Sequence, residues 1–93
     1  MNEQAITPGQ QLALRKLIGD VSRDKRLWIA SQLIGRTIGS FDDLTLQDWR
    51  KVRNAAYPDW PQNDWTVGDA FRRELAHLGS QYDETVTGQM RLF

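Results

Sequence analysis

The sequence predicts an all-α domain, a compact array of about four short helices. Apolar residues recur at spacings of three and four, helix-capping residues precede these segments, and Gly or Pro follows them. No stretch before Gly79 alternates apolar and polar residues as a strand does. The 93 residues, 40% of them hydrophobic, suffice for one domain with a modest core. We expect a helical domain over residues 1–79, its first few residues disordered, and an extended, flexible tail over residues 80–93.

The first two helices have clear ends. Thr7 is a typical N-cap, Pro8 suits the first helical position, and Gln10 completes a capping box. This helix should end near Ile18, before Gly19. The second should run from Ser22 to Gly35, and its buried stripe should contain Leu27, Ala30, Ser31 and Ile34, widened by Trp28 and Leu33.

The third helix has the strongest local signal in the chain. Thr45 and Asp48 have the spacing of a capping box, and Leu44 and Trp49 that of a hydrophobic staple. Pro58 disfavours helical backbone at Tyr57, so the helix should end there. Its inward positions should be Trp49, Val52, Ala55 and Ala56.

The fourth helix is predicted to begin at a cap formed by Asp64, or by Thr66 with Asp69, and to end at Gly79. Its apolar stripe should contain Val67, Ala70, Phe71, Leu75 and Leu78.

Composition argues against an enzyme. There is no cysteine, and a single histidine, His77, is placed near the predicted end of the fourth helix, where the helix dipole favours a cation. The pair Asp42-Asp43 is more typical of a turn than of a metal site. We therefore expect no catalytic residue, metal or other cofactor. No apolar segment is long enough to span a membrane, so we expect a cytoplasmic protein.

Basic residues are unevenly distributed in a chain whose net charge is zero. Residues 1–56 contain nine Lys and Arg against six acids, whereas residues 57–93 contain three against six. A phosphate-binding face is one interpretation of this asymmetry, and ordinary solvated helix surfaces are the other. The candidate DNA-binding residues are Arg23, Lys25, Arg26, Arg50, Lys51 and Arg53.

Four tryptophans fall into two groups. Trp28 and Trp49 lie on or beside the apolar stripes and should be packing residues. Trp60 and Trp65 flank a Pro-containing loop. They are either exposed docking aromatics or a cover over one end of the core.

The last five residues, Gln89-Met90-Arg91-Leu92-Phe93, suggest a docking segment. Large apolar side chains after a flexible spacer suit a pocket on another protein, and the Gln89 amide can fix their orientation. The alternative is that Leu92 and Phe93 fold back onto the helical body.

This pentapeptide resembles the linear motif by which bacterial polymerases, mismatch-repair proteins and replication regulators bind the DNA sliding clamp. That motif has the form Gln-Leu-(Ser/Asp)-Leu-Phe. Gln89, Leu92 and Phe93 match it, and Met90 is a long apolar substitute for Leu. Arg91 departs from the usual small or acidic residue. The resemblance implies the β subunit of bacterial DNA polymerase, the sliding clamp, as a partner.

A second resemblance covers residues 6–56. The order of Thr7 to Gln10, Arg23 to Leu27, Leu33 to Arg36 and Asp43 to Thr45 is similar to a small helical module of phage-encoded proteins, including single-strand annealing proteins and Mu-like regulators. It differs in carrying Trp49 and Arg50 in the last helix. This resemblance implies DNA recombination or phage replication.

Together these features predict an accessory or regulatory protein of bacterial or phage DNA replication, recombination or repair that docks on the sliding clamp. It would either bring its helical body to DNA or inhibit the clamp. The alternative is a small helix-turn-helix-like DNA-binding regulator whose C-terminus packs on its own core.

Overall fold

The computed structural model describes residues 4–58 and 66–91, with side chains described as far as Val86. Four helices form the fold: α1 (Pro8–Ile18), α2 (Arg23–Ile34), α3 (Leu46–Ala56) and α4 (Asp69–Arg91). A short 3₁₀ turn, Phe41–Asp43, precedes α3. Within the described ranges there is no strand, and the all-α prediction is confirmed. The disorder predicted at the start of the chain concerns Met1 to Glu3, which lie outside the described residues.

The first three helices begin where their capping residues predict. The Gln10 backbone N–H donates to Thr7 Oγ1 at 3.1 Å, and the Thr7 N–H donates to Gln10 Oε1 at 2.9 Å. The Ser22 hydroxyl accepts the Lys25 N–H in the same manner. These bonds satisfy backbone donors that the helix itself leaves unpaired, so the helix starts are fixed locally.

Helix α2 lies at the centre of the fold and packs against each of the other three helices. Ile29, Ala30 and Ser31 are consecutive and all buried. Successive residues of a helix point about 100° apart, so three buried neighbours require packing on more than one face. The predicted stripe is correct for Ala30, Ser31 and Ile34, whereas Leu27 is only partly buried.

Two long-range backbone hydrogen bonds join the residues before α1 to the residues at the start of α3. The Ile6 N–H donates to the Leu44 carbonyl at 3.2 Å, and the Leu46 N–H donates to the Gln4 carbonyl at 2.8 Å. This short antiparallel bridge joins the entrance of α1 to the start of α3. Buried Ser31 accepts the Ile38 N–H at 3.1 Å and thereby holds the loop that follows α2.

Asp48 connects the start of α3 to the α2–α3 loop. Its Oδ2 accepts the Thr45 N–H at 2.9 Å and pairs with Arg36, whose guanidinium also donates to the Asp43 carbonyl. Burial by itself raises the pKa of Asp48. The hydrogen bonds from Thr45 and Arg36 and the positive charge of Arg36 outweigh burial, so the pKa lies below its ordinary value.

The start of α4 differs from the prediction. The Arg72 N–H donates to the Gly68 carbonyl, so Gly68 precedes the first helical residue, Asp69. The predicted cap of Thr66 with Asp69 is therefore wrong, and Asp64 lies outside the described residues. A Cβ at Gly68 would lie 3.1 Å from Pro58 Cγ, which is a tighter contact than most Cβ atoms make. Two alanines predicted to face the core, Ala55 and Ala70, are exposed.

The end of α4 differs more, because the helix passes through Gly79 and continues to Arg91. The stop predicted at Gly79 is wrong, as is the extended tail over residues 80–91; Leu92 and Phe93 lie outside the described residues. The apolar series Phe71, Leu75 and Leu78 continues at helical spacing to Tyr82 and so favours further helix. Packing of this face against α2 overrides the weak helix propensity of glycine.

The Asp48→Asn variant should lower the free energy of unfolding by about 1–1.5 kcal/mol at pH 7, because a neutral amide oxygen replaces the charged carboxylate that accepts from Thr45 and pairs with Arg36. The folded pKa of Asp48 is below the unfolded value, so its contribution is complete above the unfolded pKa and disappears as the pH falls through the folded pKa. Urea unfolding at pH 7 and at decreasing pH should show wild type and variant converging in acid. A pH-independent difference would contradict this role.

The Gly79→Ala variant should raise the free energy of unfolding by about 0.5–1 kcal/mol, because alanine favours the interior of a helix. Its Cβ would meet Lys25 Cε at 3.6 Å, an ordinary contact. The matched control is Gly35→Ala, which should lower stability by about 1–2 kcal/mol because Gly35 ends α2 at a φ of 82°. Chemical denaturation distinguishes the two, and destabilisation by both would mean that Gly79 ends the helix.

Candidate functional site

The second half of α4 is anchored on α2 by two contacts. The Trp28 and Tyr82 rings lie 5.7 Å apart between centroids, at an interplanar angle of 56°. The Lys25 ammonium donates to both carboxylate oxygens of Asp83, at 2.9 and 3.0 Å. The aliphatic part of Lys25 crosses α4 at Gly79, where a Cβ would lie 3.6 Å from Lys25 Cε. These contacts fix α4 as far as Asp83.

Beyond Asp83 the described side chains are exposed, although Glu84 and Thr85 still line a hollow with Trp28 and Gln32 of α2. Glu84, Thr85 and Val86 are exposed, and Val86 is one of two exposed large apolar residues in the described part of the chain. At 1.5 Å per residue, Gln89 is about 9 Å farther along the helix axis than Asp83.

The predicted clamp-binding residues are only partly within the structure. The backbone of Gln89 and Met90 is helical, whereas their side chains, and all of Leu92 and Phe93, lie outside the described residues. The structure therefore gives the position at which the motif begins on α4, and the motif itself remains a prediction.

The six candidate DNA-binding residues divide between α2 and α3. Arg23, Lys25 and Arg26 lie in its first turn. The Lys51 ammonium donates to the carbonyl of Ile34, the last residue of α2, at 3.2 Å.

Several of these cations already make bonds within the chain. Lys25 pairs with Asp83, Arg23 donates to the Gly39 carbonyl at 3.1 Å, and Arg53 donates to Asn54 Oδ1 at 3.3 Å. Arg50 is exposed on α3. The two groups lie on different helices, so they do not form a single basic stripe along one helix.

The structure adds two cations that sequence reasoning missed, Arg15 and Lys16. They lie with Arg23 and Arg26 along a groove between α1 and the start of α2. Two adjoining hollows of about 340 and 280 Å³ form this α1–α2 groove and share Leu12, Arg15 and Arg26. Basic residues near the end of a helix are ordinary, so only their position beside α2 distinguishes them.

The remaining candidates have structural roles or lie elsewhere. Asp42 and Asp43 lie in the 3₁₀ turn, where Asp43 accepts the Gly39 N–H as a turn residue would, and Asp42 accepts from Gln11 of α1. His77 is exposed in the middle of α4, so its predicted position near the helix end is wrong. Trp49 packs against the core as predicted, whereas Trp60 and Trp65 lie outside the described residues.

Groups of three or more metal-ligating side chains are absent from the described part of the chain. Its helices also include none with the length and apolarity required to cross a membrane.

Comparison of the sequence with protein-family models and curated proteins, and of the structure with solved structures, gives no significant match.

The Tyr82→Ala variant should release the second half of α4 from α2. An aromatic pair contributes about 0.5–1.5 kcal/mol beyond its buried area, so amide hydrogen exchange over residues 80–91 should accelerate by about tenfold at most from this term. Exchange over residues 71–78 should change little. The exposed neighbour Thr85 supplies a control, Thr85→Ala. Unchanged exchange in Tyr82→Ala would contradict the anchoring role.

Proposed function

We propose that this protein is an accessory or regulatory factor of bacterial or phage DNA replication, recombination or repair that docks on the DNA polymerase sliding clamp. The observation that carries the proposal is the segment Gln89-Met90-Arg91-Leu92-Phe93, which matches the clamp-binding pattern at three positions and has a long apolar residue at a fourth. Leu92 and Phe93 fill an apolar pocket, Met90 adds apolar contact, and the Gln89 amide donates and accepts hydrogen bonds at the rim.

The course of α4 supports this role. Tyr82 and Asp83 contact α2, and the three residues that follow are exposed, with Glu84 and Thr85 lining a hollow beside Gln32 of α2. A segment beginning at Gln89 then follows the Tyr82 and Asp83 contacts by more than one helical turn, on a helix that packs against α2. If the clamp requires extended backbone, only the last turn of α4 has to open, and terminal helical turns open at small cost.

Docking has two consequences, according to what the helical body does next. It brings the body to DNA, or it excludes other proteins that use the same clamp pocket. Both consequences follow from one binding event, and neither requires a catalytic residue, metal or other cofactor.

The energetics favour moderate affinity. Burial of a Leu or Phe side chain contributes about 1.5–3 kcal/mol, and ordering the segment offsets part of that gain. We therefore expect a Kd in the micromolar range, which corresponds to a binding free energy of about −8 kcal/mol.

Titration of purified bacterial sliding clamp tests the proposal directly. The full chain should bind, and Leu92→Ala/Phe93→Ala should weaken binding by more than about tenfold because two apolar anchors are removed. Arg91→Ala is the matched control, since Arg91 lies between the anchors, and it should bind about as well as wild type. Equal binding by wild type and the double variant, or no binding by wild type, would contradict clamp docking.

The alternative, a DNA-binding helical regulator whose C-terminal part packs on its own body, is favoured by one observation. Tyr82 and Asp83 do pack on α2, although the sequence predicted an extended tail there. This alternative predicts that Leu92→Ala/Phe93→Ala binds DNA as wild type does, with steep salt dependence. Clamp docking predicts that this double variant loses its partner.

A further inference from the structure

We propose that the α1–α2 groove is a second docking site, which binds an acidic, amphipathic peptide segment of a partner protein. The proposal is independent of clamp docking, because the groove lies between α1 and the start of α2 and includes no residue of α4.

The groove has a concentrated positive charge. Arg15, Lys16, Arg23 and Arg26 contribute four cations, against the single carboxylate of Asp20 among the lining residues. Both ion pairs found in the described part of the chain involve other cations, Lys25 and Arg36. The four groove cations are therefore available to carboxylates from outside the chain.

The groove also has an apolar element at its centre. Leu12 is 52% exposed and lines both hollows, together with Arg15 and Arg26. Leu27 and Phe41, both half-buried, extend the apolar surface beside it. An exposed leucine surrounded by cations matches a ligand that presents an apolar side chain with carboxylates on either side.

Two contacts hold the groove in shape. The Arg23 guanidinium donates to the Gly39 carbonyl, which fixes one cation at the rim. Gln11 Nε2 donates to Asp42 Oδ1 at 3.1 Å and ties α1 to the 3₁₀ turn that carries Phe41. A site held open before binding loses less conformational freedom when the ligand arrives.

The chemistry favours a peptide over nucleic acid. A phosphate backbone would use the cations but would gain little from Leu12, and its regularly spaced charges would also meet Asp20 and Asp42. A peptide can space its carboxylates to avoid these two residues. Hollows of about 340 and 280 Å³ suit individual side chains of an inserted segment.

Selection of random twelve-residue peptides displayed on phage, with the full chain as bait, tests the proposal. The enriched peptides should combine Asp or Glu with Leu, Phe or Trp. Fluorescence anisotropy should then show at least tenfold weaker binding of the best peptide to Arg15→Glu/Arg26→Glu and severalfold weaker binding to Leu12→Ser. Arg50→Glu, an exposed cation on α3, should bind within twofold of wild type, and circular dichroism checks that every variant is folded.

Four outcomes of the peptide selection and binding assays would overturn the proposal. They are no enrichment, enriched peptides without acidic residues, equal loss of binding in Arg50→Glu, and tighter binding of an oligothymidylate than of the best peptide. The last of these would assign the groove to nucleic acid. A dimer in sedimentation analysis that dissociates in Arg15→Glu/Arg26→Glu would instead assign it to a second copy of the chain. No clamp is present in these assays, so their failure leaves clamp docking unaffected.

Discussion

Burial of α2 on several faces is the constraint on which the rest of the structure depends. Consecutive residues Ile29, Ala30 and Ser31 all lie away from solvent, so α1, α3 and α4 must each cover part of one short helix. Ala30 is completely buried, and its small side chain allows close approach. The same helix supplies Trp28 and Lys25 to anchor α4, and Arg23 and Arg26 to the α1–α2 groove.

Sequence reasoning succeeded where a structure is determined by neighbours along the chain. The capping boxes at Thr7 and Thr45 and the glycine that ends α2 depend on residues within one turn, so α1, α2 and α3 could be predicted nearly to the residue. The burial of Ile6 and Ile38 could not, because it depends on a bridge to Leu44 and on the Ser31 hydroxyl.

The length of α4 also depends on residues that are distant in the sequence, and here the local signal predicted a helix end that the structure does not have. Gly79 is a good stop signal locally, yet contacts with Trp28 and Lys25, more than fifty residues earlier in the chain, continue the helix. The series Phe71, Leu75, Leu78 and Tyr82 contained the necessary signal. The glycine stop and the apolar series are conflicting local signals, and packing against α2 favours the continued helix.

The two proposed docking regions differ in how they can be recognised. The segment from Gln89 to Phe93 resembles a linear motif, so its binding chemistry can be predicted from the residues alone. The α1–α2 groove is not, since Arg15 and Lys16 resemble ordinary basic residues at a helix end until α1 packs beside Arg23 and Arg26. The exposure of Leu12 likewise depends on which face of α1 the core covers.

Nuclear magnetic resonance of the ¹⁵N-labelled full chain, recorded during titration with unlabelled sliding clamp, tests the central claim most directly. Because the clamp is a large partner, amides at the contact should lose intensity first. Clamp docking predicts that the earliest losses centre on Gln89 to Phe93, while the chemical shifts of Leu12, Arg15 and Arg26 in the groove stay unchanged. Early losses centred on the groove or on α3, or no losses at all, would contradict it.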